Sequence, residues 1–200
     1  MQKLILLSTL VLGLSVCAFA QKNELAFVAG AKITPTVGTV AAGNQTKFST
    51  TFGFEGNYAA QLAHVPAVAL HLEVPFVGAP ATNLTSTNLL AVKSYNSFFI
   101  TPALRLKILP GSPVSPWISA GYGLGHFSPG ATTLSGATVA TTSTNTGAAQ
   151  AGAGLDFHPP LLPVAFRLEV RDFYSGKPNL NAAINARNHF FAGGGVVLRF

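Results

Sequence analysis

Cysteine, charge and long apolar runs are all scarce in this chain, and each shortage removes a class of protein. The single cysteine, Cys17, lies within the first twenty residues, which read as an export signal. Once they are removed, neither a disulfide framework nor thiol chemistry is expected to remain. Charged residues make up 9% of the 200 residues, against about 25% for an ordinary soluble domain. Water-facing surfaces are rarely so poor in charge. No later stretch approaches the roughly 20 apolar residues that a membrane-spanning helix needs, so any membrane crossing has to be made by strands. The 20 glycines and 13 prolines suit turns, and helical periodicity is absent. The fold class is therefore all-β.

The N-terminus reads as an export signal. Lys3 supplies the charged start, Leu4 to Val16 the apolar run, and Ala18-Phe19-Ala20 a small-x-small cleavage site before Gln21. The expected organisation is a signal peptide over 1–20 and one domain over 21–200. Leu14-Ser15-Val16-Cys17 departs from a lipidation box, because Val16 stands where such a box has a small residue.

Eight segments alternate in polarity over the length a membrane-crossing strand needs, about 9 to 11 residues. Residues 25–33 set Leu25, Phe27, Ala29, Ala31 and Ile33 on one face. Residues 47–62 oppose Phe48, Phe52, Phe54, Tyr58 and Leu62 to Thr51, Gly53, Glu55, Asn57 and Gln61. From 68 to 76, Val68, Leu70, Leu72, Val74 and Phe76 oppose Ala69, His71 and Glu73. From 98 to 109, Phe98, Ile100, Leu104, Leu106 and Ile108 oppose Thr101, Ala103, Arg105 and Lys107. The fifth segment, 117–127, puts Ile118, Ala120, Tyr122 and Leu124 against Ser119, Gly121, Gly123 and Gly125. The sixth, 147–157, puts Ala149, Ala151, Ala153, Leu155 and Phe157 against Gln150, Gly152, Gly154 and Asp156. The seventh puts Val164, Phe166, Leu168 and Val170 against Arg167, Glu169 and Arg171. The last runs to Phe200, with Phe190, Ala192, Gly194, Val196, Leu198 and Phe200 on one face and Phe191, Gly193, Gly195, Val197 and Arg199 on the other.

Connections alternate in length. Residues 34–46, 77–96, 128–143 and 174–187 are long, whereas 63–66, 110–115 and 158–163 are short. An antiparallel up-and-down transmembrane β-barrel has this pattern, with short periplasmic turns, four longer outer loops and both termini in the periplasm. Bulk and charge decide which face is which. Large apolar residues suit lipid, whereas the opposite face carries small residues and the mid-strand Arg and Lys, which would cost about 2 to 4 kcal/mol each in mid-bilayer. The expected lumen set is Glu55, His71, Glu73, Arg105, Lys107, Asp156, Arg167, Glu169, Arg171 and Arg199, with Lys32. Mixed signs in a lumen just wide enough for side chains predict mutual pairing and a plugged barrel. Phe76, Phe98, Phe127, Phe173 and Phe190 near outer strand ends, and Tyr58, Trp117, Phe157 and Phe200 near inner ends, are expected to form interfacial belts.

Gly152-Ala153-Gly154-Leu155-Asp156-Phe157, the run Phe166-Arg167-Leu168-Glu169-Val170-Arg171-Asp172-Phe173-Tyr174 and the ending Val196 to Phe200 resemble the eight-stranded outer-membrane barrel group of the OmpA transmembrane domain and OmpX-like proteins. The resemblance covers 21–200 and implies the outer membrane of a Gram-negative-type bacterium. It also implies a surround of lipid and lipopolysaccharide, a monomer, and a terminal strand read through Val196, Leu198 and Phe200 by the barrel-insertion machinery. No counterpart of the peptidoglycan-binding part of OmpA is expected after this barrel.

Catalytic and ligand patterns are sparse. Some small barrels deacylate lipid A with a His two residues before a Ser where the seventh strand exits; here Phe173-Tyr174-Ser175 stands at that place, without the base. His126-Phe127-Ser128 has the spacing on the fifth strand, but no acid follows in the next loop. The five histidines, His64, His71, His126, His158 and His189, have no metal-ligand spacing, and no cofactor is expected. The net charge of +6 is spread thinly, unlike a nucleic-acid footprint. Lys47, Lys93, Lys177 and Arg187 suit anionic head groups instead. The expected function is a non-catalytic envelope-structural or surface-interaction barrel. The alternatives are a narrow pore for ions or small solutes and, less favoured, a lipid-modifying enzyme.

Overall fold

The computed structural model describes residues 23–39, 44–86, 94–130, 133–134, 137–138, 142–160, 162, 164–176 and 186–200. The expected signal peptide, Lys93 and Lys177 lie outside the described residues. Eight strands form the frame: β1 (Asn23–Ile33), β2 (Thr51–Val65), β3 (Val68–Ser86), β4 (in two segments, Ser94–Ile100 and Ala103–Ile108), β5 (Val114–Pro129), β6 (Thr144–Phe157), β7 (Val164–Ser175) and β8 (Asn188–Arg199). Each pairs antiparallel with its neighbour in sequence. β1 and β8 then pair from Glu24↔Arg199 to Ile33↔Phe190, which closes the ring. Closure leaves no free edge, so every strand has hydrogen-bonding partners on both sides.

The alternation in the sequence has the expected result. Large outward apolar residues are exposed, from Ile100 at 36% to Tyr122 at 68%, whereas Glu55, Glu73, Arg105, Lys107, Arg167 and Arg171 are buried inside. β4 breaks at Thr101-Pro102, because proline has no N–H to donate to the ladder. The face assignment survives the break, with Thr101, Ala103, Arg105 and Lys107 all inward.

Three of the four long connections are shorter than expected, whereas the first lengthens from 34–46 to 34–50. β3 continues to Ser86 through an irregularity between Ala79 and Thr82, where Ala81 adopts a positive φ of 55°. A bulge absorbs Ala-Pro-Ala without losing the sheet, so 77–86 is strand rather than loop. The expected second strand also divides. Asn44–Phe48 is a separate short strand that pairs with Val37–Thr39 and with the end of β3. The interruption at Ser49 and Thr50 breaks the parity, and Phe48, expected outward, packs instead against the interior apolar cluster. The short connections are Pro66-Ala67 and residues 109–113 and 158–163.

Candidate functional site: the barrel interior

Near the short-turn end, side chains from five strands meet. Glu24 of β1 bonds Arg105 of β4 and accepts from Lys107 Nζ at 2.6 Å, with Arg167 of β7 at 3.4 Å and Arg199 of β8 at 3.2 Å. Asp156 of β6 takes Lys107 at 2.6 Å and Arg167 Nε at 2.8 Å. Above this layer, Arg171 gathers three carboxylates: Glu73 at 2.8 Å, Glu55 at 2.9 Å and Glu169 at 3.2 Å. Arg105 joins the layers by reaching Glu73 at 3.4 Å. Asn57 Nδ2 donates to Glu73 at 2.9 Å. Pairing of this density is what burial of charge requires.

Trp117 stands at the centre. Its indole N–H donates to Asp156 at 3.2 Å, and the guanidinium carbons of Arg167, Arg171 and Arg105 lie 5.1, 5.1 and 5.7 Å from its ring. Within about 6 Å a cation is drawn to the ring face. Two inward glycines make the room. A Cβ on Gly154 would lie 2.5 Å from Trp117 Cζ2, and one on Gly152 would lie 2.8 Å from Ser119 Oγ.

The long-loop half is filled differently. Val28, Val77, Leu84, Tyr95, Phe99, Phe127, Ala148, Phe173 and Phe191 form one apolar cluster. Phe99 stacks on Phe173 at 4.6 Å and meets Phe127 edge-on at 5.7 Å. Trp117, Phe127 and Phe173, expected in the interfacial belts, therefore face inward. They share parity with Ser119, Gly125 and Arg171, and small inward residues give them space. Phe76 and Phe98 do lie outside, in a ladder with Phe54 and His126.

Within the apolar half Lys32 is 2% exposed, donating to Ser97 Oγ at 2.6 Å and Tyr95 OH at 3.4 Å. Among the described residues no carboxylate pairs with it. Of the six acids in the chain, five belong to the network below. The sixth, Asp172, is partly buried on the other face of β7 and accepts from Asn188 at 2.9 Å.

Every expected lumen residue is interior, and all but His71 and Lys32 share ion pairs. His71 is buried beside Arg105 in register, with Nδ1 unpartnered. Sequence reasoning missed Glu24, which has the inward parity of Ala26 and Val28 but precedes the first apolar residue at which strand one was expected to start. It also missed His189, which supplies Ser175 with a neighbouring imidazole: Nε2 lies 3.2 Å from Ser175 Oγ, and Nδ1 lies 3.4 Å from Thr34 Oγ1. A hydroxyl, not a carboxylate, stands where a triad needs its acid, and all three residues are buried inside the barrel. His126 bonds Asn145, its cross-strand neighbour. No hydrogen bond joins it to Ser128 among the described residues, although both line one outward groove. No group of three or more metal-ligating side chains occurs among the described residues.

No family model matches the chain, and neither does any curated protein. Solved structures do match in shape. OprG from Pseudomonas aeruginosa superposes with a TM-score of 0.53 at 11% identity, over 90% of this chain and 98% of that one. Neisserial surface protein A gives 0.51 at 15% identity, over 89% and 97%. Ail of Yersinia pestis, in complex with the heparin analogue sucrose octasulfate, gives 0.51 at 11% identity, over 88% and 98%. These neighbours, the closed ring and the outward apolar surface agree: the chain has the fold of the small eight-stranded outer-membrane β-barrels.

Proposed function

We propose that the chain is a non-catalytic barrel of the outer membrane of a Gram-negative-type bacterium, sealed along its axis, with an envelope-structural or surface-interaction role. Charge closure in the lumen carries this reading. Glu24, Glu55, Glu73, Asp156 and Glu169 are matched one for one by Arg105, Lys107, Arg167, Arg171 and Arg199. An ion path needs ionisable groups open to water, whereas these are bonded to one another with an apolar layer above. Planar-bilayer recordings of the refolded protein are expected to show no conductance or very small steps. Large, steady, porin-sized steps would sink the proposal and favour the pore.

Surface interaction then falls to the long-loop end. Lys47 and Arg187, both exposed there, support pairing with lipopolysaccharide or other anionic head groups. The outward row Val196, Leu198 and Phe200 supports delivery by the barrel-insertion machinery. Against catalysis stands the lack of a carboxylate on either Ser–His pair. Esterase activity that His126→Ala or His189→Ala abolished would overturn this part of the reading.

A further inference from the structure

We propose that the short-turn mouth of the barrel binds a phosphate-type oxyanion. A polar cavity of about 200 Å³ opens there between the β2–β3 and β4–β5 turns, lined among others by Glu24, Gln61, His64, His71, Lys107 and Arg199. That volume takes a tetrahedral anion with a few waters, since a water's share of the liquid is about 30 Å³, but no folded partner.

Three observations choose the ligand. His71 is 2% exposed, yet its Nδ1 has no hydrogen-bond partner. A buried polar atom left unmatched is costly, and an imidazole N–H donates well to an anionic oxygen. Charge is also unevenly distributed along the axis. Arg105, Lys107, Arg167 and Arg199 share Glu24 and Asp156 at this end, with Arg105 also reaching up to Glu73, while three of the five carboxylates collect around Arg171 above. The network is neutral as a whole, but its mouth is cationic. Lys107 and Arg199 carry the excess to the cavity wall, and Arg199, at 26% side-chain exposure, is open to solvent. A cationic ligand meets repulsion here, and Glu24, the one acid in the wall, is already engaged by lysine and arginines. The phosphate group has two sources with the same chemistry: a free ion, or the head group of a phospholipid in the adjacent leaflet.

The test is imidazole ¹⁵N NMR on the mature protein folded in a maltoside detergent, which carries no phosphate. Inorganic phosphate is titrated at fixed pH, with chloride holding ionic strength constant. A saturating shift of His71 and His64, with His126 and His189 still, is the expected result. His64→Glu places a carboxylate at the exposed rim without touching the network and is expected to weaken phosphate binding about tenfold, or 1.4 kcal/mol. In phosphate-free buffer, nanodiscs of a phosphate-free glycolipid with and without phosphatidic acid identify the source: a His71 shift on adding that lipid assigns a head group, and a shift with inorganic phosphate alone assigns the free ion. The proposal is overturned if His71 does not move, if chloride moves it equally, if His64→Glu leaves the affinity unchanged, or if zinc binds at His71 more tightly than phosphate.

Discussion

At the short-turn end the barrel interior is filled by groups that carry full charge; at the long-loop end it is filled by aromatic rings. Both fillings occupy the space between the strands, but they fail differently. In the charged half each side chain answers for several others, because Arg171 contacts Glu55, Glu73 and Glu169 together. Deleting one member strands the rest in a low-dielectric space. In the aromatic half each ring contributes mainly its own contacts, and a deletion leaves a hole rather than an unmatched charge. Lys32 sits between the two regimes, as a cation held by hydroxyls and ring faces instead of carboxylates.

Three substitutions measure the contrast, with urea unfolding in detergent or liposomes as the common readout. Arg171→Met has the largest expected effect, a loss of about 4 kcal/mol, because breaking a buried pair by removing one partner typically costs about 3 to 5 kcal/mol. Simultaneous Glu73→Gln should recover part of that loss. A single variant no worse than Phe99→Ala would erase the distinction between the halves. Phe99→Ala itself should cost about 3 kcal/mol through the cavity left against Phe127 and Phe173. Lys32→Met is expected to change stability by less than about 1 kcal/mol, since apolar replacement of a buried ion is often neutral when no partner charge is stranded. A large loss there would reveal an anion beside Lys32.

Alternation made most of the interior legible beforehand. The period of two is imposed by the backbone, so Glu55, Glu73, Arg105, Arg167 and Arg171 needed only a strand and a parity. What escaped depended on hydrogen bonding or on neighbours across the ring. A strand begins where its ladder begins, not at its first apolar residue, and Glu24 was lost to that difference. Phe127 and Phe173 were misplaced because aromatic identity was weighed above parity, although Gly125 and Arg171 on the same faces already pointed inward. The Ser175–His189 contact joins β7 to β8 across a connection whose course has no local signature in the sequence.

Pairing of Glu24 with Arg199 across the β1–β8 seam has a consequence for assembly. Glu24 is the second residue of the first strand, and Arg199 is the penultimate residue of the chain. Until the last strand arrives, the nascent sheet has two raw edges, and Glu24 lacks partners from both β7 and β8. Backbone pairing and charge matching along this seam are thus completed in one step when β8 meets β1, which favours an all-or-none finish over a stable half-barrel. Glu24 is therefore matched by β7 and β8 in the closed ring and would be unmatched by them in an open one.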